Sequence, residues 1–171
     1  MADGVFVSYR RGDVSSAARL VQSVLVADLG EERVFFDRSS IHGGSSWSDT
    51  IDGALARAGV LVLVIGPRWG AMLAERLDAG GEDVHLREIV AAFDRDLHVY
   101  PLLMEGAPPL TDADLPPVLQ GWLTTRQWTV IHEDQSESGF AILRRDVRQL
   151  LGLPAADPAR PPSAGDPPSA D

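Results

Sequence analysis

The apolar positions change period repeatedly along the chain. "VFVSY" at 5–9 is a short run rich in β-formers, broken by "RRGDVSS". From Ser16 to Leu29 the residues Ala17, Leu20, Val21, Val24, Leu25 and Leu29 recur near one side of a helix. Asp13 or Ser15 is placed to cap its start and Gly30 to stop it. "RVFF" at 33–36 predicts a second strand and "DRSSIHGGSS" a loop. Trp47, Ile51, Leu55 and Ala58 predict a helix over 47–58, with Ser46 and Asp49 in an approximate capping box. "VLVLVI" at 60–65 is continuously apolar, as expected of a central parallel strand buried on both faces.

Beyond it, 66–83 reads as a long connection with at most a helical turn. A helix follows over 84–95, with Leu86, Ile89, Val90 and Phe93 as its apolar stripe. "HVYPLLM" at 98–104 predicts a fourth strand, 119–123 a short helix and "RQWTVI" at 126–131 a weaker fifth strand. Residues 140–151 close the pattern as a helix. Strand and helix alternate, which predicts an α/β fold: a parallel sheet covered by helices on both faces, joined by right-handed crossovers. Ligands in such sheets sit beyond the carboxyl ends of the strands. Those ends carry Ser8, Tyr9 and Arg10, then Asp37 and the loop after it, then Gly66 to Trp69, and Pro101 to Glu105.

The folded unit is expected over 3–153. Residues 154–171, "PAADPARPPSAGDPPSAD", hold six prolines in 18 positions and no large apolar side chain, so a disordered tail or linker is expected. A chain of 171 residues with 44% apolar content can build one core. The net charge of −10 argues against a nucleic-acid backbone as partner. There is no cysteine, which removes disulfides, thiolate metal sites and cysteine nucleophiles and fits a cytoplasmic protein. No run approaches a membrane span, and "MADGVFVSYRR" lacks the features of an export signal.

Candidate chemistry is then narrowed. No Gly-x-Gly-x-x-Gly run follows the first strand, no Walker A sequence occurs, and no Gly-x-Ser-x-Gly elbow is present. The four histidines, 42, 85, 98 and 132, are scattered, and no metal site is expected. By helical spacing Glu88 falls roughly opposite Leu86 and Phe93, which reads as a solvated carboxylate; Glu75 and Glu82 read the same way. Trp69 covers the core edge or stacks on a planar ligand. Arg10 and Arg11 are solvated or contact a phosphate near a helix start.

Taken together, "VFVSYRRGD", "VFFDRSSIHGGSSWSDTIDGAL", "VLVLVIGPRW" and "HLREIVAAF" resemble, in order, four parts of the bacterial-type TIR (Toll/interleukin-1 receptor) domain family. The likeness covers about residues 4–151. It implies a flavodoxin-like three-layer fold with a five-stranded parallel sheet. It makes residues 37–46 the BB loop, which borders the nucleotide site and takes part in TIR–TIR packing. Many members cleave NAD+ between nicotinamide and ribose, giving ADP-ribose or a cyclised variant; others are non-enzymatic interaction and signalling modules. The resemblance makes Glu88 the catalytic carboxylate, and Tyr9, Arg10, Asp37, Ser39 and Trp69 the contacts to NAD+, here a substrate and not a cofactor. The expected partners are NAD+, further TIR copies and a fused or separate sensor, in bacterial defence or as an effector. A plain flavodoxin-like receiver fits less well, because the acidic cluster after the first strand is missing.

Overall fold

The computed structural model describes residues 3–36, 47–81 and 83–155. The expected loop at 37–46, with Asp37 and Ser39, lies outside them, as do Glu82 and the tail from 156 onward. Five parallel strands form one sheet: β1 (Gly4–Tyr9), β2 (Val34–Phe36), β3 (Ala58–Ile65), β4 (His98–Met104) and β5 (Thr129–Ile131), in the order β2-β1-β3-β4-β5. Five helices connect and follow them: α1 (Ser15–Leu29), α2 (Trp47–Arg57), α3 (Trp69–Asp78), α4 (Val84–Asp94) and α5 (Ser136–Leu150). The architecture is the flavodoxin-like three-layer fold that the sequence led us to expect.

Strand alternation divides the interior in two. Val5, Val7 and Tyr9 of β1 and Val60, Val62 and Val64 of β3 pack with Ala18, Val21 and Leu25 of α1 and Leu143 and Val147 of α5. Phe6 of β1 and Leu61, Leu63 and Ile65 of β3 face the other way, toward Leu55 of α2, Leu73 of α3 and Ile89 and Ala92 of α4. β3 is therefore apolar at successive positions because both of its faces are covered. Among the described residues no helix is long and apolar enough to cross a membrane.

Several local expectations are corrected. The connection at 66–83 contains a ten-residue helix, α3, anchored by buried Trp69 and Leu73; one buried i, i+4 pair is too sparse a stripe to announce it. The short helix expected at 119–123 is a 3-10 turn over Pro117–Leu119 followed by further turns, and β5 keeps only three residues of the run at 126–131. Neither Asp13 nor Ser15 caps α1; Val14 holds the cap position, with no side-chain bond.

Asp13 instead ties two loops together. Its Oδ2 accepts from the Gly66 backbone N–H and its Oδ1 from that of Arg68, both at 2.9 Å. The carboxylate thus joins the turn after β1 to the turn after β3. Gly66 leaves the space this needs, since a Cβ there would stand 2.5 Å from Asp13 Oδ2 and closer still to Val14 Cγ1. Gly66→Ala is expected to break the tie and lower stability by about 1–3 kcal/mol, the usual cost of overpacking. Urea unfolding would read this, and a midpoint equal to wild type would show that the loops tolerate separation.

Candidate active site

At the carboxyl end of β1 the two sheet faces carry different chemistry. Ser8, two residues after Phe6, points to the α2–α4 side and is fully buried. Above it, α4 buries His85, Glu88, Ile89 and Ala92, an i, i+3, i+4, i+7 stripe. Glu88 is 1% exposed. This corrects the expectation from spacing that it is solvated: the polar pair His85 and Glu88 occupies the buried stripe, while Leu86 and Phe93 sit on the partly buried flank. Phe93 packs edge-on against Trp122, with ring centroids 4.9 Å apart.

Ser8 donates to Glu88 Oε2 at 2.6 Å, and its Oγ lies 3.0 Å from His85 Nδ1. On the far side of the imidazole, Trp69 Nε1 donates to His85 Nε2 at 2.8 Å. The two rings meet edge to face at 5.9 Å. Trp69, at the first position of α3, is fully buried. It is thus a core residue by burial whose N–H reaches into the polar cluster.

Arg10 continues β1 into the same region. It is 5% exposed, its Nη1 donates to Asp83 Oδ2 at 2.7 Å, and its guanidinium lies 5.7 Å from the Trp69 ring. Asp83 also caps α4, because its Oδ1 accepts from the Leu86 backbone N–H at 3.0 Å. Burial pushes the Asp83 carboxyl up, but the Leu86 N–H and the Arg10 guanidinium together outweigh it and hold its pKa below the ordinary value. One carboxylate therefore fixes both the end of β1 and the start of the helix that bears Glu88. Arg10 Nε and Nη2 are buried with no hydrogen-bond partner among the described residues, so most of this fork of donors is unsatisfied there.

Tyr9 is not part of this cluster. It points to the opposite face of the sheet and stacks on Phe36, with centroids 5.1 Å apart. Asp37 and Ser39 lie outside the described residues. The structure therefore brings Arg10 and Trp69 to Glu88 and adds Asp83 and His85, and also Ser8, which the strand ends already placed beside the expected cleft. Ser8 had a signal, as a polar residue inside an apolar strand. His85 and Glu88 had another, as two polar residues at i, i+3 spacing. A cavity of about 670 Å³ opens over the α1–α5 face, lined by Val14, Leu20, Met104, Ile131 and Phe140 among others. None of its lining residues belongs to the Glu88 cluster, so convergent polar chemistry, and not volume, marks the candidate site.

The sequence pattern of the TIR domain family matches residues 5–144. The chain belongs to the TIR domain family. The matched span runs from β1 into α5 and contains all six residues of the Glu88 cluster. No curated protein sequence is similar enough to match this TIR domain. Among solved structures it is similar to the TIR domains of the activated Roq1 resistosome directly recognizing the pathogen effector XopQ. That likeness has a TM-score of 0.49 at 15% identity, over 88% of this chain and 84% of the other.

Proposed function

We propose that this TIR domain cleaves NAD+ at the bond between nicotinamide and ribose, with Glu88 as the catalytic carboxylate. The observation that carries the reading is a buried carboxylate on the first turns of α4, held at 2.6 Å by Ser8 near the carboxyl end of β1. The C1′–N bond breaks with its electron pair leaving on nicotinamide, which departs neutral from a cationic precursor, so no strong acid is required. C1′ becomes oxocarbenium-like. A fixed carboxylate in a water-poor site stabilises that charge far better than one in water, as in glycosidases. Water then adds to C1′ and loses a proton, giving ADP-ribose; attack by a group of the same molecule gives a cyclised product. The unsatisfied donors of Arg10 suit a phosphate of the substrate. The setting we infer is bacterial defence or an effector role, with a fused or separate sensor.

Glu88 at 1% exposure requires the site to open before a dinucleotide enters. We assign that opening to assembly of TIR copies. Purified protein incubated with NAD+ is expected to release nicotinamide, with specific activity rising as protein concentration or crowding rises. Mass spectrometry of the products separates hydrolysis from cyclisation. No nicotinamide across the whole concentration series would transfer the assignment to a non-enzymatic TIR–TIR interaction module.

A further inference from the structure

The contacts around Glu88 have a direction. An indole N–H donates and cannot accept, so Trp69 makes His85 Nε2 an acceptor at 2.8 Å. Nε2 then carries no hydrogen, and the single hydrogen of the neutral imidazole sits on Nδ1. Nδ1 lies 3.0 Å from Ser8 Oγ and donates to it. The Ser8 hydrogen is left to point at Glu88 Oε2, 2.6 Å away. Run in reverse, Glu88 would carry a proton and donate to Ser8, Ser8 would donate to Nδ1, and Nε2 would bear the imidazole hydrogen. That hydrogen would face the indole N–H across 2.8 Å, donor against donor. An imidazolium meets the same conflict.

We propose that His85 and Trp69 are positioning residues for Glu88, acting through Ser8. Trp69 selects the Nδ1–H form of His85. His85 thereby fixes Ser8 as a donor, and Ser8 holds Glu88 Oε2 as an acceptor and the carboxyl in one orientation. The oxygen that faces Ser8 then carries no hydrogen, so the indole N–H, two residues removed from the carboxylate, sets the direction of the hydrogen bond that orients it. The kinetic consequence rests on the NAD+-cleaving reading; the placement of the hydrogens does not.

The test has two arms on the full chain. In the first, ¹⁵N-histidine protein is observed by long-range ¹H–¹⁵N NMR near neutral pH. The wild type is expected to show His85 as the Nδ1–H tautomer, and Trp69→Phe to show a mixture. An Nε2–H or imidazolium form in the wild type overturns the proposal whether or not NAD+ is turned over. In the second arm, Ser8→Ala, the smallest change and the one safest for folding, and His85→Phe are each expected to lower kcat by about 10- to 100-fold, the scale of a misplaced catalytic group, with KM nearly unchanged. The double variant should be close to Ser8→Ala alone, because the hydroxyl is the hydrogen-bonded link between them, His85 Nδ1 itself standing 3.7 Å from Glu88 Oε2. Multiplication of the two losses would refute the relay. A wild type with Nδ1–H in place but no turnover would count against the reaction and leave the hydrogen placement standing.

Discussion

Glu88→Gln is expected to lower nicotinamide release by about 10³-fold, roughly 4 kcal/mol of transition-state stabilisation. Gln keeps the length and shape of the side chain, and its carbonyl oxygen still accepts from Ser8, whose hydroxyl lies 2.6 Å from Oε2 in the native protein. The charge is removed, and an NH2 donor takes the place of Oε1. Because the carboxylate is buried, its neutral replacement relieves desolvation, and the thermal midpoint should stay at or above that of wild type. The two readouts must therefore separate. A Gln variant that turns over NAD+ at the native rate would remove Glu88 from the chemistry; one that is inactive and unfolded would say nothing about charge, which is why far-ultraviolet circular dichroism accompanies the assay.

Asp83→Ala is expected to be the most damaging single change to stability at this end of the sheet. It strands the Arg10 guanidinium, whose side chain is 6% exposed, without the counter-ion now 2.7 Å away, and it uncaps α4. Removing one partner of a buried pair costs on the order of 3–5 kcal/mol. Replacing both, as in Arg10→Met with Asp83→Leu, should recover much of that loss, since the residual cost is then the cap alone, about 1 kcal/mol. Denaturant midpoints read both, and a single variant within about 1 kcal/mol of wild type would show the pair to be dispensable. The same pair sets an acid limit. The pKa of Asp83 is lowered from 3.8 in the folded protein, so the stabilisation it gives is present above that value and is lost as pH falls through the folded pKa. Acid unfolding of the native protein should therefore include this group below about pH 4, and the double variant should lack its contribution.

The sheet is legible in the chain because its strands announce themselves. β3 is apolar at every position from Val60 to Ile65, and β4 reads from the sequence at its observed limits of 98 and 104. The helices are legible where an apolar stripe is long, as in α1, and illegible where it is not, as in α3. The site is harder for a physical reason. Burial of Glu88 and His85 is stabilised by Ser8 and Trp69, which come from β1 and α3, 80 and 19 residues away from Glu88. No reading along α4 alone can find partners at that separation, so its apolar stripe puts Glu88 in solvent, the i, i+3 pairing with His85 is a faint mark, and the resemblance to TIR domains is what gives it a role. Arg10 follows the same logic: a basic residue at a strand end reads as exposed until its counter-ion, Asp83, is brought over the sheet.

Ser8 has one more consequence, for how the chain finds its pairing. β1 lies between β2 and β3 and is buried along its whole length, so hydrophobic content alone tells its two sides apart poorly. Slipping it by one residue against β3 would turn the hydroxyl into the apolar layer beneath α1 and α5 and bring the Tyr9 ring against the carboxylate on α4. Both errors are costly, and both vanish in the native register, where Ser8 lies opposite Leu63. A buried serine near the carboxyl end of a greasy strand thus serves as an alignment mark, so the residue that orients the carboxylate also makes the neighbouring alignments of β1 unfavourable.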